Sequence, residues 1–216
     1  MLNLKIQDPG IQQEPIMIQT QTYNGEMAAG SLLIHESRQI ARLLLDGVDA
    51  ERWDRKILIE NILQKRSPRT SKRQARLIRN RLSLMNAGLW EIIANASFEA
   101  ATQAVLSAAI KHSRLIGDFM DQVIRRHWQT FTKNLTVKDW NDFLETCAQI
   151  DPRVDGWSPS TQAKLRQVLF RILAESGYIE NTKTRLLLPV SVIPEIRINL
   201  MNTNEKYVLR CLEVTP

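Results

Sequence analysis

The chain has 216 residues, of which 44% are hydrophobic and 24% charged, so it is long and apolar enough to bury a substantial core. Its two cysteines, Cys147 and Cys211, lie far apart without metal-ligand spacing, which argues against a disulfide framework and predicts a reduced cytoplasmic protein. Neither a secretory signal pattern nor an apolar run suited to a bilayer is evident, and we therefore expect no membrane partner.

The composition favours helices over sheet, because the chain has only 8 Gly and 8 Pro and its periodic segments are long. We predict a mainly α, multi-helix globular protein with one or two helix-turn-helix or winged-helix units and a short C-terminal β-hairpin. Residues 1–25 are predicted to form an extended N-terminal arm, and residues 26–90 a helix-turn-helix unit with a basic helix. Residues 91–135 are predicted to form a central helical packing region, and residues 136–216 a winged-helix-like unit.

The first unit begins with two predicted helices. Apolar residues at helical spacing predict one helix over residues 27–45 and a second over residues 50–64, the second capped by Asp49. A turn at Ser67-Pro68 separates the second helix from a basic helix. Two helices joined by a short turn, the second of them cationic, are the elements of a helix-turn-helix, although such pairs are common in any all-α protein.

The third predicted helix, over about residues 71–85, is the most basic part of the chain. No acidic residue lies between Glu60 and Glu91, and residues 51–90 contain 11 Lys and Arg against 3 Asp and Glu. We expect Thr70 or Ser71 to cap this helix. At 3.6 residues per turn its cations fall on a face well away from its apolar side chains. The predicted apolar stripe consists of Ala75, Ile78, Leu82 and Met85.

The basic helix has two interpretations. An exposed helix face that merely solvates the protein usually interleaves Glu with Lys and Arg, and this stretch lacks that interleaving. We therefore favour contact with nucleic acid, through phosphates and through Arg-to-guanine contacts in the major groove. The candidate residues are Lys65, Arg66, Arg69, Lys72, Arg73, Arg76 and Arg79.

The last third of the chain repeats the layout of the first. A Ser-Pro-x-Thr sequence precedes a predicted helix at Ser67 and again at Ser158, which indicates either two related units or the same capping chemistry used twice. The β-branched and aliphatic run over residues 182–200 predicts a β-hairpin wing, and residues 206–212 predict one more short strand. A second set of candidate nucleic-acid contacts lies in this unit: Lys164, Arg171, Lys183 and Arg185.

Motifs that carry catalysis are missing from the sequence. It has no phosphate-binding loop of the GxxxxGK[ST] type and no recognised nucleophile motif. The three histidines, His35, His112 and His127, show no paired-ligand spacing with one another or with the cysteines. We therefore expect a non-enzymatic protein without a metal or other cofactor.

Four segments of the chain carry a family resemblance. Residues 30–47 (GSLLIHESRQIARLLLDG), 63–82 (LQKRSPRTSKRQARLIRNRL), 111–120 (KHSRLIGDFM) and 135–145 (LTVKDWNDFLE) resemble the BrxA family of bacteriophage exclusion (BREX) systems. The resemblance covers about residues 26–200. It implies an all-helical, DNA-binding component of a multi-gene phage-defence system, encoded beside a methyltransferase, an ATPase and a phosphatase-like protein, and it also implies a likeness to the antitermination protein NusB.

Taken together, the residues and the resemblance predict a double-stranded DNA-binding component of a BREX system, with other BREX proteins as further partners. Two alternatives stay open. A NusB-like module would bind RNA, although most Trp and Phe residues fall on apolar stripes and few are left to stack on single-stranded bases. A protein-interaction scaffold would instead use the basic face to bind an acidic partner within the defence complex.

Overall fold

The structure is a computed structural model that describes residues 23–215. The predicted arm over residues 1–25 therefore lies almost entirely outside the described residues. The mainly α prediction is confirmed. The helices are α1 (Ile34–Leu45), α2 (Ala50–Asp54), α3 (Pro68–Leu82), α4 (Ala87–Asn95), α5 (Phe98–His112), α6 (Arg114–Asp118), α7 (Arg125–Gln129), α8 (Val137–Ile150), α9 (Pro159–Glu175), α10 (Pro194–Asn202) and α11 (Lys206–Leu212).

Short irregular helical segments complete the N-terminal and central helices. A 3-10 turn, Glu26–Ala29, precedes α1, so the helix predicted over residues 27–45 is interrupted before it reaches Ile34. Leu33, between the 3-10 turn and α1, has a left-handed backbone conformation with a φ of 57°. The π-helical segments Arg55–Ile59 and Phe119–Ile124 continue α2 and join α6 to α7, and a second 3-10 turn, Pro152–Val154, precedes α9.

The basic helix α3 starts three residues earlier than predicted. The Ser67 hydroxyl accepts a hydrogen bond from the Thr70 amide at 3.2 Å, and Pro68 occupies the first helical position, where its missing N–H is not needed. The predicted cap at Thr70 or Ser71 is therefore wrong. The predicted apolar stripe is confirmed, because all four of its side chains are buried in the core: Ala75, Ile78, Leu82 and Met85.

Helix α5 forms the centre of the molecule. Its residues from Ala100 to Ile110 are all buried, and it contacts α1, α3, α4, α6, α10 and α11. Alanine and serine at most of these positions let the neighbouring backbones approach closely. Buried polar contacts add to this packing, since the Asp118 carboxylate accepts hydrogen bonds from the hydroxyls of Tyr23 at 2.9 Å and Tyr207 at 2.6 Å. The predicted central packing region over residues 91–135, as a unit with those bounds, stays a prediction.

The predicted C-terminal β-hairpin, and with it the winged-helix interpretation, is wrong for residues 23–215. This part of the chain contains two isolated antiparallel bridges, Asn134 with Leu186 and Ile179 with Leu187, and no strand. Pro194 starts α10 instead, at the first helical position, and Ile196 and Leu200 bury the inner face of that helix. The strand predicted over residues 206–212 is helix α11.

Within the described residues, no helix combines the length and the apolar character that a bilayer span requires.

Candidate nucleic-acid interface

Helix α3 buries its apolar stripe and presents its cations outward. Lys72, Arg73, Arg76 and Arg79 are exposed, and Arg66 and Arg69 are exposed at its N-terminal end. Among residues 23–215, none of these six cations forms an ion pair with a carboxylate. Exposed cations elsewhere in the described chain often form such ion pairs, for example Lys138 with Asp142 at 2.6 Å. The outer face of α3 is therefore a concentration of charge that the described part of the protein does not neutralise.

This charge works against the helix that carries it. Arg69 and Arg73, and likewise Lys72 and Arg76, are like charges at i,i+4 spacing, and each such pair destabilises a helix by about 0.2–0.5 kcal/mol. The Ser67 cap and the buried stripe hold the helix in place without the exposed cations. The arginines and lysines of the outer face are thus not explained by the stability of α3.

Two of the seven predicted contact residues have side-chain partners among residues 23–215. Lys65 forms an ion pair with Glu36 on α1, and both side chains are largely covered. The Arg79 guanidinium lies 4.6 Å from the centre of the Trp53 ring, which is a cation-π contact with α2. Lys65 is therefore a poor candidate for a phosphate contact, whereas Arg79 keeps its charge exposed beside the indole.

Arg81 is buried, although it belongs to the basic run. Its Nη1 donates to the Ser31 carbonyl at 2.6 Å and its Nη2 to the Gly30 carbonyl at 3.2 Å. Burial lowers the pKa of the guanidinium to about 10, so that it stays charged at neutral pH. Helical spacing places position 81 at the edge of the apolar side of α3, beside Met85, which permits its burial but does not distinguish it from Arg79 at the opposite edge.

Helix α9 carries part of the second predicted set. It is capped as α3 is, because the Ser158 hydroxyl accepts from the Thr161 amide at 3.2 Å and Pro159 follows at the first helical position. Lys164 and Arg171 are exposed on one face of α9. Arg171 forms an ion pair with Glu175 at 2.8 Å, and Lys164 has no carboxylate partner among residues 23–215.

The structure brings the two sets together at one cavity of about 500 Å³, between the 3-10 turn at Glu26–Ala29, α3 and α9. Arg73 lines this cavity from α3, and Lys164 and Arg171 line it from α9. Lys183 and Arg185 do not line it. Arg185 instead lies with its guanidinium 5.7 Å from the centre of the Phe170 ring, and Lys183 is exposed in the preceding turn. The proximity of α3 and α9 is a tertiary property that helical spacing along the sequence does not contain.

Both cysteines are buried and form no disulfide. Burial raises the pKa of each thiol to about 12, which leaves both far from the reactive thiolate form. Among residues 23–215 no group of three or more His, Cys, Asp or Glu side chains is arranged to hold a metal ion.

Comparison with known proteins places the chain in a family. The family model described as BrxA matches residues 21–204. The chain is 45% identical over 193 residues to the BREX protein BrxA of Paramagnetospirillum magneticum, covering 89% of this chain and 97% of the relative. It is 33% identical over 189 residues to the BREX protein BrxA of Escherichia coli O9:H4, covering 88% of this chain and 89% of the relative.

A solved structure has the same fold. The crystal structure of an uncharacterized protein from Magnetospirillum magneticum superposes with a TM-score of 0.84 at 43% sequence identity, covering 90% of this chain and all of the other. Residues 21–204, which the BrxA family model matches, include α3, α9 and the cavity between them, so the candidate interface lies inside the family region. On the extent of these matches, the chain belongs to the BrxA family.

Proposed function

We propose that this chain is a non-enzymatic component of a BREX phage-defence system that binds double-stranded DNA through the outer face of helix α3. The BREX assignment follows the printed names of its relatives. The DNA assignment rests on one observation, the row of exposed cations on α3 that lack a carboxylate partner among residues 23–215.

The dimensions of the α3 face support a duplex as the ligand. An α-helix with its side chains is about 10–12 Å across, which matches the roughly 12 Å width of the major groove of B-DNA. At 1.5 Å per residue, Arg69 and Arg79 are about 15 Å apart along the axis of α3. Arg73 and Arg76 lie between them. Guanidinium groups bind phosphate oxygens and guanine edges in bidentate fashion, so this face provides both backbone and base contacts.

The helix pairs give weaker support than the charge does. Residues 60–67 connect the π-helical segment to α3, and residues 151–158 connect α8 to α9. Both connections are longer than the three- or four-residue turn of a helix-turn-helix. The proposal therefore depends on the charge of α3, and the helix-turn-helix assignment stays a prediction.

A mobility-shift titration on an unrelated DNA duplex at several salt concentrations tests the proposal. If about six phosphates are neutralised, the logarithm of the affinity falls with the logarithm of the salt concentration at a slope of about −5. The triple variant Arg69→Gln, Arg73→Gln, Arg76→Gln removes three of these contacts, so the slope should become shallower by about 3.

The matched control removes the same charge from other parts of the surface. Arg126, Lys133 and Lys206 are exposed and form no ion pair with a described residue, so the variant Arg126→Gln, Lys133→Gln, Lys206→Gln has the same net charge as the α3 variant. It should keep nearly the full salt slope. If both variants weakened DNA affinity equally, the binding would depend on net charge and not on the α3 face. If the wild-type protein did not bind DNA at low salt, the DNA proposal would be wrong.

Binding of RNA is the first alternative. Phe98 and Phe131 are exposed and could stack on unpaired bases, with 91% of the Phe131 surface accessible. In the described part of the chain, neither lines the cavity between α3 and α9 or the cavity beside Arg76 on α3, so we favour a duplex. Competition of a structured RNA against the DNA duplex decides between them, since a preference for RNA would overturn our choice.

A protein-interaction scaffold is the second alternative, and an apolar pair on α10 favours it. Ile198 and Met201 lie one helical turn apart and are 57% and 62% exposed. In this alternative, an acidic protein partner binds α3 instead of DNA. The charge reversals Arg73→Glu and Arg76→Glu should then abolish assembly with that partner. The isolated protein should bind no DNA, whether it carries these substitutions or not.

A further inference from the structure

The turn after α7 presents one bulky aromatic side chain to solvent. Phe131 is 91% exposed, and among residues 23–215 it belongs neither to the hydrophobic cluster nor to the side chains packed against that cluster. Its backbone is left-handed, with a φ of 55°, which is a rare conformation for a bulky side chain. Glycine adopts this φ without strain, so the stability of the turn does not explain a phenylalanine at this position.

Hydrogen bonds hold the turn in this strained conformation. The Thr132 amide donates to the His127 carbonyl at 2.9 Å, and the Lys133 carbonyl accepts from the Leu187 amide at 2.8 Å. Strained residues persist where the surrounding contacts enforce them, and they concentrate at functional sites. The backbone that carries the Phe131 ring is therefore fixed before any ligand binds, which lowers the entropy cost of binding.

Two exposed lysines lie beside the ring. Lys133 follows Phe131 by two residues, and the Asn134 side-chain amide donates to the Thr184 carbonyl at 2.9 Å, which brings Lys183 to the same turn. Neither lysine forms an ion pair in the described part of the chain, unlike Lys56, Lys65, Lys111 and Lys138. Lys183 was predicted from the sequence as a nucleic-acid contact, and it lies away from the cavity between α3 and α9.

The sequence around these lysines lacks acidic residues. No Asp or Glu occurs over residues 122–138 or over residues 181–194. Two of the carboxylates that border these stretches are engaged within the protein, since Asp139 caps α8 and Glu180 accepts from the Thr184 hydroxyl at 2.7 Å. The turn therefore combines an exposed aromatic ring with positive charge that nearby residues of the sequence do not neutralise.

This combination suits an unpaired nucleotide. Every base has a π-face that stacks on an aromatic side chain, and the phosphates on either side of the base bind lysines. A base inside a duplex is already stacked between its neighbours, so its face is not open to the ring. An acidic protein would also bind the lysines, but it would require an apolar side chain at position 131 and not an aromatic one.

We propose that the Phe131 tip, which consists of residues 130–134 and 181–184, binds an unpaired stretch of a DNA strand. Phe131 stacks on a base, and Lys133 and Lys183 bind the flanking phosphates. The choice of DNA as the nucleic acid rests on the proposed function of the chain. The tip adds a second surface to that function, because none of its residues lines the cavity between α3 and α9 or the cavity beside Arg76.

Fluorescence anisotropy of the full chain with three labelled DNAs tests the tip. The ligands are an oligothymidine of about 12 nucleotides, a strand of the same length made of abasic sites, and a blunt duplex. The abasic strand keeps the phosphates and removes the bases. Since stacking on an aromatic side chain strengthens binding of a base, we expect oligothymidine to bind about tenfold more tightly than the abasic strand.

Three substitutions at position 131 separate stacking from an apolar contact. Phe131→Gly should weaken oligothymidine binding about tenfold, to the affinity of the abasic strand, and leave the duplex within about twofold of wild type. Its melting temperature should stay unchanged or rise, because glycine relieves the strained φ, so loss of binding does not reflect unfolding. Phe131→Leu should weaken binding as Phe131→Gly does, whereas Phe131→Trp should keep the affinity within about threefold of wild type.

Two further variants test the charges and provide a matched control. Lys133→Gln with Lys183→Gln should make the salt slope for oligothymidine shallower by about 1.4, which corresponds to two phosphates of a single strand. The slope for the blunt duplex should stay unchanged. The control is Phe98→Ala, since Phe98 is 54% exposed at the start of α5, away from the tip in sequence. It should leave oligothymidine affinity within about twofold of wild type.

Several results would overturn the proposal. Equal affinity for oligothymidine and the abasic strand would exclude stacking, and wild-type affinity of Phe131→Gly would exclude the tip. Wild-type affinity of Phe131→Leu would replace stacking with a general apolar contact. An oligouridine RNA that binds more than about tenfold more tightly than oligothymidine would overturn DNA as the ligand.

The same titrations separate the tip from the α3 face. Blunt-duplex binding tests the α3 proposal alone, and the difference between oligothymidine and the abasic strand tests the tip alone. If the protein bound oligothymidine through Phe131 and did not bind the duplex, the tip would stand and the α3 proposal would fall. If it bound the duplex and did not discriminate between the two single strands, the tip would fall and the α3 proposal would stand.

Discussion

Single residues in the basic run have opposite roles, although they share one chemistry. Arg76 lies on the surface, whereas Arg81, five positions later, is almost completely buried against the Gly30 and Ser31 carbonyls. Helical spacing places Arg76 opposite the apolar stripe of α3, but it places Arg81 only at the edge of that stripe. It does not predict the partners of Arg81, which lie about fifty positions away in the chain, or the Glu36 partner of Lys65.

The contrast between these arginines yields a stability prediction. Arg81→Met leaves two carbonyl oxygens without donors, and we expect a loss of about 2 kcal/mol in the free energy of unfolding, measured by urea denaturation. The matched variant Arg76→Met removes an exposed charge and should change stability by less than about 0.5 kcal/mol. If Arg81→Met were as stable as wild type, the desolvation cost of burying the guanidinium would equal the stabilisation from its two hydrogen bonds.

Arg81→Met also separates structure from binding. The buried guanidinium is remote from any external phosphate, so this variant should keep the wild-type salt slope for DNA, while the α3 surface variant loses part of it.

Asp151 provides a pH-dependent test at the residue scale. The Arg153 guanidinium, with Nε at 2.8 Å, and backbone amides including that of Tyr23 hold the pKa of this carboxyl at about 2. Because this value lies below the unfolded value of about 3.9, the stabilisation is fully present above pH 4 and is lost as the pH falls through 2. The stability difference between wild type and Asp151→Asn should therefore be constant from about pH 5 to 7 and shrink below pH 4. Urea unfolding across this range measures it, and a difference that does not change with pH would refute the assignment.

At the scale of elements, α3 and α9 begin in the same way. Each starts with a Ser-Pro-x-Thr sequence in which the serine hydroxyl accepts from the threonine amide three residues later. The sequence repetition therefore reflects capping chemistry that is used twice. Whether the two units share an origin stays a prediction, since a shared cap arises equally well from the physics of helix ends.

Loss of either cap should destabilise the protein to a similar extent. We expect Ser67→Ala and Ser158→Ala each to lower the free energy of unfolding by about 1 kcal/mol, because each leaves one amide at a helix start unsatisfied. Ser83→Ala is a suitable control, since its hydroxyl is exposed and donates to the Arg79 carbonyl within α3 rather than capping a helix start, and it should change stability by less than about 0.5 kcal/mol. An effect of Ser83→Ala as large as those at the caps would contradict the capping argument.

The C-terminal elements show where local patterns mislead. β-branched and aliphatic residues around Pro189 and Pro194 resemble strand sequences, and the expected hairpin does not form within the described residues. A strand needs a partner, and each proline removes a ladder donor. Ile196 and Leu200 are also spaced one helical turn apart behind a proline at a helix start, and burial of this face beside α5 decides in favour of a helix.

At the scale of the whole molecule, most of the buried hydrophobic side chains between Tyr23 and Val214 form one connected cluster. The sequence predicted most helices of this cluster and their inward faces, because both follow from local periodicity. The arrangement of α3 and α9 around one cavity could not be predicted, since it depends on contacts between distant segments. The proposed division at residues 90 and 135 stays a prediction, which the cooperativity of unfolding tests.

A core substitution on α3 combined with thiol labelling on α8 provides this test. Cys147 is fully buried with a raised pKa, so labelling by a disulfide reagent at pH 8 requires the core to open. Ile78→Ala should remove about 3 kcal/mol of stability at the buried face of α3. The labelling is measured in a Cys211→Ala background. If the protein unfolds as a single cooperative unit, Ile78→Ala lowers the free energy of opening at Cys147 by the full loss of about 3 kcal/mol. If residues 136–216 unfolded independently of residues 26–90, the labelling rate of Cys147 would stay unchanged by the α3 substitution. Cys147 would then report a separate C-terminal unit, and the connected cluster would be a contact between two domains.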